Sequence, residues 1–163
     1  MHWMRGLAFF VAGTVLGIFI MSPSAAPQEK KAGQRLNHFG LYVKNLDESV
    51  NFYKKSMGFR DAFSFKDAQG NPIVYLQINQ DTFIELTPTS ADHPAGFSHV
   101  GIWVDDLNAT VARIRQQGVQ LDNPRPGGTK ALLTNVMDPN GARLELLEYP
   151  PESLQRKAMV AWK

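Results

Sequence analysis

The sequence predicts an α+β fold of two tandem βαβββ modules forming a curved mixed sheet around a concave site. Three observations carry that prediction. Phe97-Ser98-His99-Val100-Gly101-Ile102-Trp103-Val104 repeats Leu36-Asn37-His38-Phe39-Gly40-Leu41-Tyr42-Val43, with His99, Gly101 and Val104 each 61 positions after His38, Gly40 and Val43. Ile84-Glu85-Leu86 returns as Leu144-Glu145-Leu146, 60 positions on. Between these repeated pieces, one helical pattern and then further strand patterns follow in the same order both times. Such self-similarity means one supersecondary unit used twice.

In chain order, Met1 to Arg5 is a short positive start, Gly6 to Met21 an uncharged apolar run, and Ser22 to Ala26 a small-residue stretch suited to signal-peptidase cleavage. Residues 1–26 are therefore expected to be a signal peptide or N-terminal anchor, and 27–35 a linker. The expected location is exported, periplasmic or secreted, with membrane contact only through this segment if it is uncleaved. From Leu36 to Val43 apolar residues alternate, so Phe39, Leu41 and Val43 face one way and His38, Gly40 and Tyr42 the other. Leu46, Val50, Tyr53 and Met57 then recur at helical spacing, with Asp47 as expected N-cap and Gly58 as stop. Strands are expected over Phe59–Phe65, Ile73–Ile78 and Thr82–Thr87, with a turn at Asp67–Pro72.

After a linker from Thr89 to Gly96 the pattern restarts. The His99 strand leads into a helix opened by Asp105-Asp106 and carrying Leu107, Val111 and Ile114, ended by Gly118. Val119–Leu121 is expected as a short strand and Asn123–Gly128 as a long, mobile loop. The last hairpin joins Ala131–Met137 to Ala142–Glu148 around Asp138-Pro139-Asn140-Gly141. The domain thus spans 36–152, with modules at about 36–88 and 97–149. Residues 153–163 form a C-terminal appendix to which the pattern assigns no structure.

Composition narrows the chemistry. The chain has 163 residues, enough for one domain with a sizeable core, and a net charge of only +2 without a Lys/Arg cluster, which argues against nucleic acid as a partner. With no cysteine, a metal can be held only by His, carboxylate, carbonyl or water.

Each helix must cover one side of its sheet, and Phe39/Leu41/Val43, Val100/Ile102/Val104, Ile84/Leu86 and Leu144/Leu146 are the apolar sets to pack there. His38, Glu85, His99 and Glu145 then share the opposite, concave face, with Gly40 and Gly101 leaving room beside them. Inward carboxylates are costly to bury unless a cation or protons neutralise them. Two imidazoles and two carboxylates make a divalent-cation site with open positions for water or substrate. Tyr42, Phe83 and Trp103 lie on the same face and are candidate substrate-wall residues. His93 reads as a solvated loop residue, and His2 belongs to the targeting segment.

With those residues in place, the chain resembles the vicinal oxygen chelate superfamily, which includes glyoxalase I, methylmalonyl-CoA epimerase, extradiol dioxygenases and bleomycin-resistance proteins. The likeness rests on NHFGLYVKNLDESVNFYKKSMGF, TFIELTP, SHVGIWVDDL and DPNGARLELLE, and the layout resembles bacterial glyoxalase I. The resemblance implies paired glyoxalase-like modules and one divalent metal ion (Ni, Co, Zn, Mn or Fe) on His38, Glu85, His99 and Glu145. It implies a glyoxalase-type isomerase or lyase acting on a small-molecule substrate through vicinal oxygens, with Glu145 and Glu85 as the proton-moving catalytic residues. It also implies a homodimer. Two departures count against glutathione specificity: Tyr42 stands where such glyoxalases carry Arg, and Thr89 where they carry Asn. An Fe(II) extradiol-type dioxygenase and a metal-free small-molecule binding protein are the alternative readings.

Overall fold

The two strands that carry the repeated histidines pair with each other, and the rest of the sheet grows outward from that pair. In chain order the elements are β1 (Gln34–Val43), α1 (Leu46–Lys55), β2 (Arg60–Lys66), β3 (Pro72–Asn79), β4 (Thr82–Pro88), β5 (Gly96–Val104), α2 (Leu107–Gln116), β6 (Arg125–Pro126), β7 (Leu132–Met137), β8 (Arg143–Glu148) and α3 (Leu154–Ala161). The computed structural model describes residues 33–163. The expected targeting segment and residues 27–32 of the linker after it lie outside the described residues, and the linker's last two residues, Gln34 and Arg35, belong to β1.

The eight strands form one sheet in the order β2-β3-β4-β1-β5-β8-β7-β6. β1 and β5 run antiparallel at its centre, each flanked by the parallel last strand of its own module, β4 or β8. The two βαβββ modules are therefore present and joined edge to edge through their first strands. Phe39, Leu41 and Val43 pack with Leu46, Val50 and Tyr53 of α1 around Leu76, Ile84 and Leu86, which are fully buried. In the second module Ile102, Val104, Leu107, Val111, Ile114 and Leu146 do the same under α2. Burying each such aliphatic side chain contributes roughly 1.5–3 kcal/mol, so these clusters fix both helices to one face and leave the other face to polar residues.

Several local expectations need correction. Asn45, not Asp47, caps α1: its extended backbone turns its side-chain oxygen onto the Glu48 N–H at 3.1 Å. Asp47 instead sits in the first turn, where it still favours the helix dipole. Met57 is 54% exposed because α1 stops at Lys55, before it. Val119–Leu121 forms no strand. The short second strand of that module is β6, among Pro124 and Pro126, which cannot donate to a ladder and so keep it to two residues at the sheet edge. The expected mobile loop is pinned as well, since Gly127 N–H donates to Ala131 O at 2.8 Å. The appendix contains α3, capped by Ser153 and laid against the concave face, where Met159 joins Tyr75, Phe83, Leu133, Leu147 and Tyr149 in a third core cluster.

The one-residue disagreement between the two repeat offsets has a physical location. Two residues, Ser56 and Met57, separate α1 from Gly58, whereas only Gln117 separates α2 from Gly118. Both glycines take positive φ, 75° and 85°, as a helix-terminating residue often does. The difference is absorbed in the helix exit, so strand register on both sides of it is preserved.

Candidate metal centre

The sheet register brings the four repeated polar residues together within a single chain. In the β1–β5 ladder His38 lies opposite Gly101 and Gly40 opposite His99. In the parallel ladders Gly40 is level with Glu85 and Gly101 with Glu145. Each imidazole therefore sits over the other strand's glycine. A Cβ at Gly101 would lie 2.1 Å from His38 Cε1, and one at Gly40 2.4 Å from His99 Cε1. The glycines make room, as expected, and what fills the room is the opposite histidine.

The ladder between β1 and β5 slips twice, between Leu36 and His38 and again between Gly40 and Leu41. The residues left unpaired are Asn37 and Ser98, the ones preceding each histidine. Such bulges re-aim side chains beside functional sites. Here they turn Asn37 Oδ1 to 3.1 Å from His38 Nδ1, and Ser98 Oγ to 3.0 Å from His99 Nδ1. Sequence reasoning passed over this pair, although Asn37 and Ser98 obey the same 61-residue repeat.

The hydrogen bonds assign the protons. Asn37 donates through Nδ2 to Asp81 O at 2.7 Å, so its Oδ1 accepts, taking one bond from the Tyr149 hydroxyl at 2.6 Å and one from His38 Nδ1–H. That leaves the His38 Nε2 lone pair free toward the site. His99 differs: Arg143 Nη2 lies 2.8 Å from its Nδ1, and a guanidinium can only donate. The proton of neutral His99 is therefore on Nε2, from which it points to His38 Nε2 at 3.0 Å.

Glu145 Oε2 lies 3.4 Å from His38 Nε2 and 3.7 Å from His99 Nε2; Glu85 Oε2 lies 3.9 and 3.7 Å from the same atoms. The tightest set is His38, His99 and Glu145, whose ligand atoms all fall within 4.8 Å of one another. Glu85 completes the ring of donors, but Tyr75 OH donates to its Oε2 and Thr87 Oγ1 to its Oε1 at 3.3 Å. Donors bound at about 2.1 Å to one cation lie roughly 3.0–3.4 Å apart. The observed spacings approach that range, and the mixed imidazole and carboxylate set suits a borderline divalent ion such as zinc, nickel, cobalt or iron. The residues fit such an ion, once His99 has moved its proton to Nδ1, where Ser98 Oγ can accept it.

The electrostatics are those of a desolvated pocket. Burial lowers His99 to about 4, with the Glu85 and Glu145 charges opposing and His38 and Arg143 assisting. Burial pushes Glu145 upward, but its interactions with His38, and less so with His99 and the Arg143 guanidinium, outweigh this and hold the carboxyl below its ordinary value. Burial, then the two glutamates, raises the Tyr75 and Tyr149 phenols well above the usual tyrosine range. Both therefore remain protonated donors.

Glu85 and Glu145 open into a cavity of about 190 Å³ that Phe65, Tyr75, Arg125 and Gln155 also line. The three expected wall residues lie elsewhere. Phe83 is fully buried beside His38, its partner in the β1–β4 ladder, and serves as core. Trp103 has Arg35 over its ring at 3.8 Å and Arg156 at 4.9 Å. Tyr42 stacks on His93 at 4.6 Å and lines a separate, more open cavity of about 750 Å³ with Ser98 and Arg143. His93 is accordingly packed against Tyr42 at an exposed site rather than simply solvated.

Comparison with known proteins agrees with the fold. A sequence model of the Glyoxalase/Bleomycin resistance protein/Dioxygenase superfamily matches residues 35–146. A probable lactoylglutathione lyase of Vibrio parahaemolyticus is 31% identical over 125 residues, 70% of this chain and 90% of that protein. A probable chloroplastic lactoylglutathione lyase of Arabidopsis thaliana is 30% identical over 133 residues, and this chain spans only 38% of its length. Among solved structures, methylmalonyl-CoA epimerase from Mycobacterium tuberculosis superposes with a TM-score of 0.64 at 26% identity, covering 72% of this chain and 89% of that one.

Proposed function

Because the chain belongs to the glyoxalase/bleomycin resistance protein/dioxygenase superfamily, we propose that it is a divalent-metal-dependent isomerase or lyase of glyoxalase type. Its substrate would be a small molecule presenting two neighbouring oxygens. The observation that carries this reading is the convergence of His38 Nε2, His99 Nε2, Glu85 Oε2 and Glu145 Oε2 in one chain beside a cavity. A divalent cation held there would supply Lewis-acid polarisation of a substrate carbonyl and stabilise the negative oxygen that forms when a neighbouring C–H is deprotonated. Glu145 is the base in this reading: its carboxyl is held ionised and, among the described residues, no hydroxyl donates to it. Glu85, oriented by Tyr75 and Thr87, faces the same space, and in this reading it takes over the proton that Glu145 has removed and returns it to the neighbouring carbon. Tyr42 and Thr89 support a substrate other than a glutathione adduct, since Tyr42 is stacked on His93 outside the cavity.

The test is elemental analysis of the purified protein, as isolated and after chelation and reloading. About one divalent ion per chain is expected, and His99→Ala should lose it. A protein that neither carries nor takes up metal, yet binds small molecules unchanged, would favour the resistance-type binding role instead. One observation favours a second metal reading: the tightest donor set, two histidines and one carboxylate, has the composition of the facial triad of non-haem Fe(II) oxygenases. Oxygen uptake with catechols separates that extradiol-type activity from proton exchange on hydroxyketones. Export through residues 1–26 and assembly as a homodimer belong to the same proposal, and cell fractionation and light scattering check them.

Arg143 gives a sharper prediction. It places the His99 proton on the nitrogen a metal would need and adds a positive charge beside the site. Arg143→Met should therefore tighten metal binding, by about tenfold, the lower end of what groups behind a ligand usually contribute. Competition titration with a chromophoric chelator measures it, and weaker binding in the variant would contradict the proton assignment.

A further inference from the structure

Gln155 stands on the first turn of α3, beyond the residues 35–146 that the superfamily model matches. Its side chain is fully buried, and neither Oε1 nor Nε2 has a hydrogen-bond partner. Buried carboxamides are nearly always paired, because losing water without a replacement bond is costly. This one lines the cavity into which Glu85 and Glu145 open. The helix is anchored so as to hold it there: Ser153 caps α3, Leu154 N–H donates to Thr129 O at 2.9 Å, and Met159 is sunk in the concave core. The unpaired carboxamide is thus held beside a space of about 190 Å³ that its residue lines. That is below the roughly 300–1,000 Å³ of sites for drug-sized ligands. At about 30 Å³ per water-sized group it holds about six such groups.

We propose that Gln155 is a specificity residue that reads a hydroxyl on the substrate end remote from the metal ligands, and that the substrate is a short polyhydroxy carbonyl compound of about six non-hydrogen atoms. The inference rests on the reading of His38, Glu85, His99 and Glu145 given above. A carboxamide donates and accepts at once, and an alcohol O–H is the compact group that matches both. Two neighbouring oxygens would face the histidine and glutamate cluster, leaving a third for Gln155. Gln155 of α3 lines the space on the side of that third oxygen, and a cavity of this volume favours a compact substrate over one with a bulky thioether or nucleotide tail.

Dihydroxyacetone and hydroxyacetone differ by the one hydroxyl in question and serve as probes. Binding of each to metal-loaded full-length protein is measured by calorimetry or ligand-observed NMR. A site built to bond a hydroxyl strongly rejects the analogue lacking it. Wild type is therefore expected to bind dihydroxyacetone at least tenfold tighter, and Gln155→Met to bring the ratio to within about twofold. The variant should keep its metal content and melt at or above the wild-type temperature, because methionine removes the unpaired polar atoms while filling the same volume. A wild-type ratio near one, or a ratio preserved in the variant, overturns the inference. If Gln155→Met does not fold, Gln155→Leu is read in the same way. A metal-free wild type would instead sink the metal reading, while the Gln155-dependent ratio is still read in that protein.

Discussion

Gly101→Ala is expected to cripple the site and weaken the fold at once. The added Cβ would lie 2.1, 2.2 and 2.6 Å from Cε1, Nδ1 and Nε2 of His38. Carbon atoms do not approach that closely, so the imidazole must leave or the two central strands must part. The ring has little freedom to move. It is fully buried, bonded through Nδ1 to Asn37, and packed edge-on against Tyr75 at 5.5 Å and His99 at 5.0 Å. Overpacking of this kind costs about 1–3 kcal/mol. Displacing a ligand should reduce metal affinity by more than the 10- to 100-fold seen when only a supporting group is lost. The cause is checked by a double-mutant cycle in urea with chelator present: Gly101→Ala should cost much less when His38→Ala has already removed the ring. Gly40→Ala paired with His99→Ala should behave alike. Additive costs in both cycles would show that the glycines serve backbone shape rather than the facing imidazoles.

The duplication made the principal residues legible. His38, Glu85, His99 and Glu145 each had a partner at a fixed offset, and period-two alternation placed all four on one face. The polar residues behind the histidines were equally repeated, at Asn37 and Ser98, but strict alternation sends a residue next to His38 to the wrong face. Only a bulge, which one strand's sequence does not announce, brings it back. Breaks in the repeat were informative as well. At the glutamate offset of 60, Arg143 is the counterpart of Phe83, so one histidine has an aromatic core residue as neighbour and the other a guanidinium. Alternation found the face of Phe83 but not its depth, because depth depends on α3. That helix has eight residues and modest amphipathicity, and its one clear signal in the sequence is the Ser153 cap. The neighbours of the site that the reading lacked, Gln155 above all, come from there.

Acidification of the metal-free protein should cost stability in the window set by His99. In the unfolded chain its imidazole takes a proton near its ordinary value of 6.5; in the folded protein burial, with the help of His38 and Arg143, delays protonation to about 4. The folded value is the depressed one. Its contribution is therefore complete above pH 6.5 and is lost as the pH falls toward 4, because the unfolded state binds the proton first. At about 1.4 kcal/mol per unit, this difference amounts to about 3 kcal/mol. Glu145, also depressed, acts in the same direction, but only below the ordinary carboxylate value of 4.5. The span from pH 6.5 to 5 thus separates the histidine from Glu145. Urea unfolding at pH 7, 6 and 5 with chelator should show a falling free energy for wild type and a much flatter one for His99→Gln, which has no proton to gain there. Parallel slopes for the two proteins would mean that His99 is not held neutral by the fold, and the assignment of its proton to Nε2 under Arg143 would go with it.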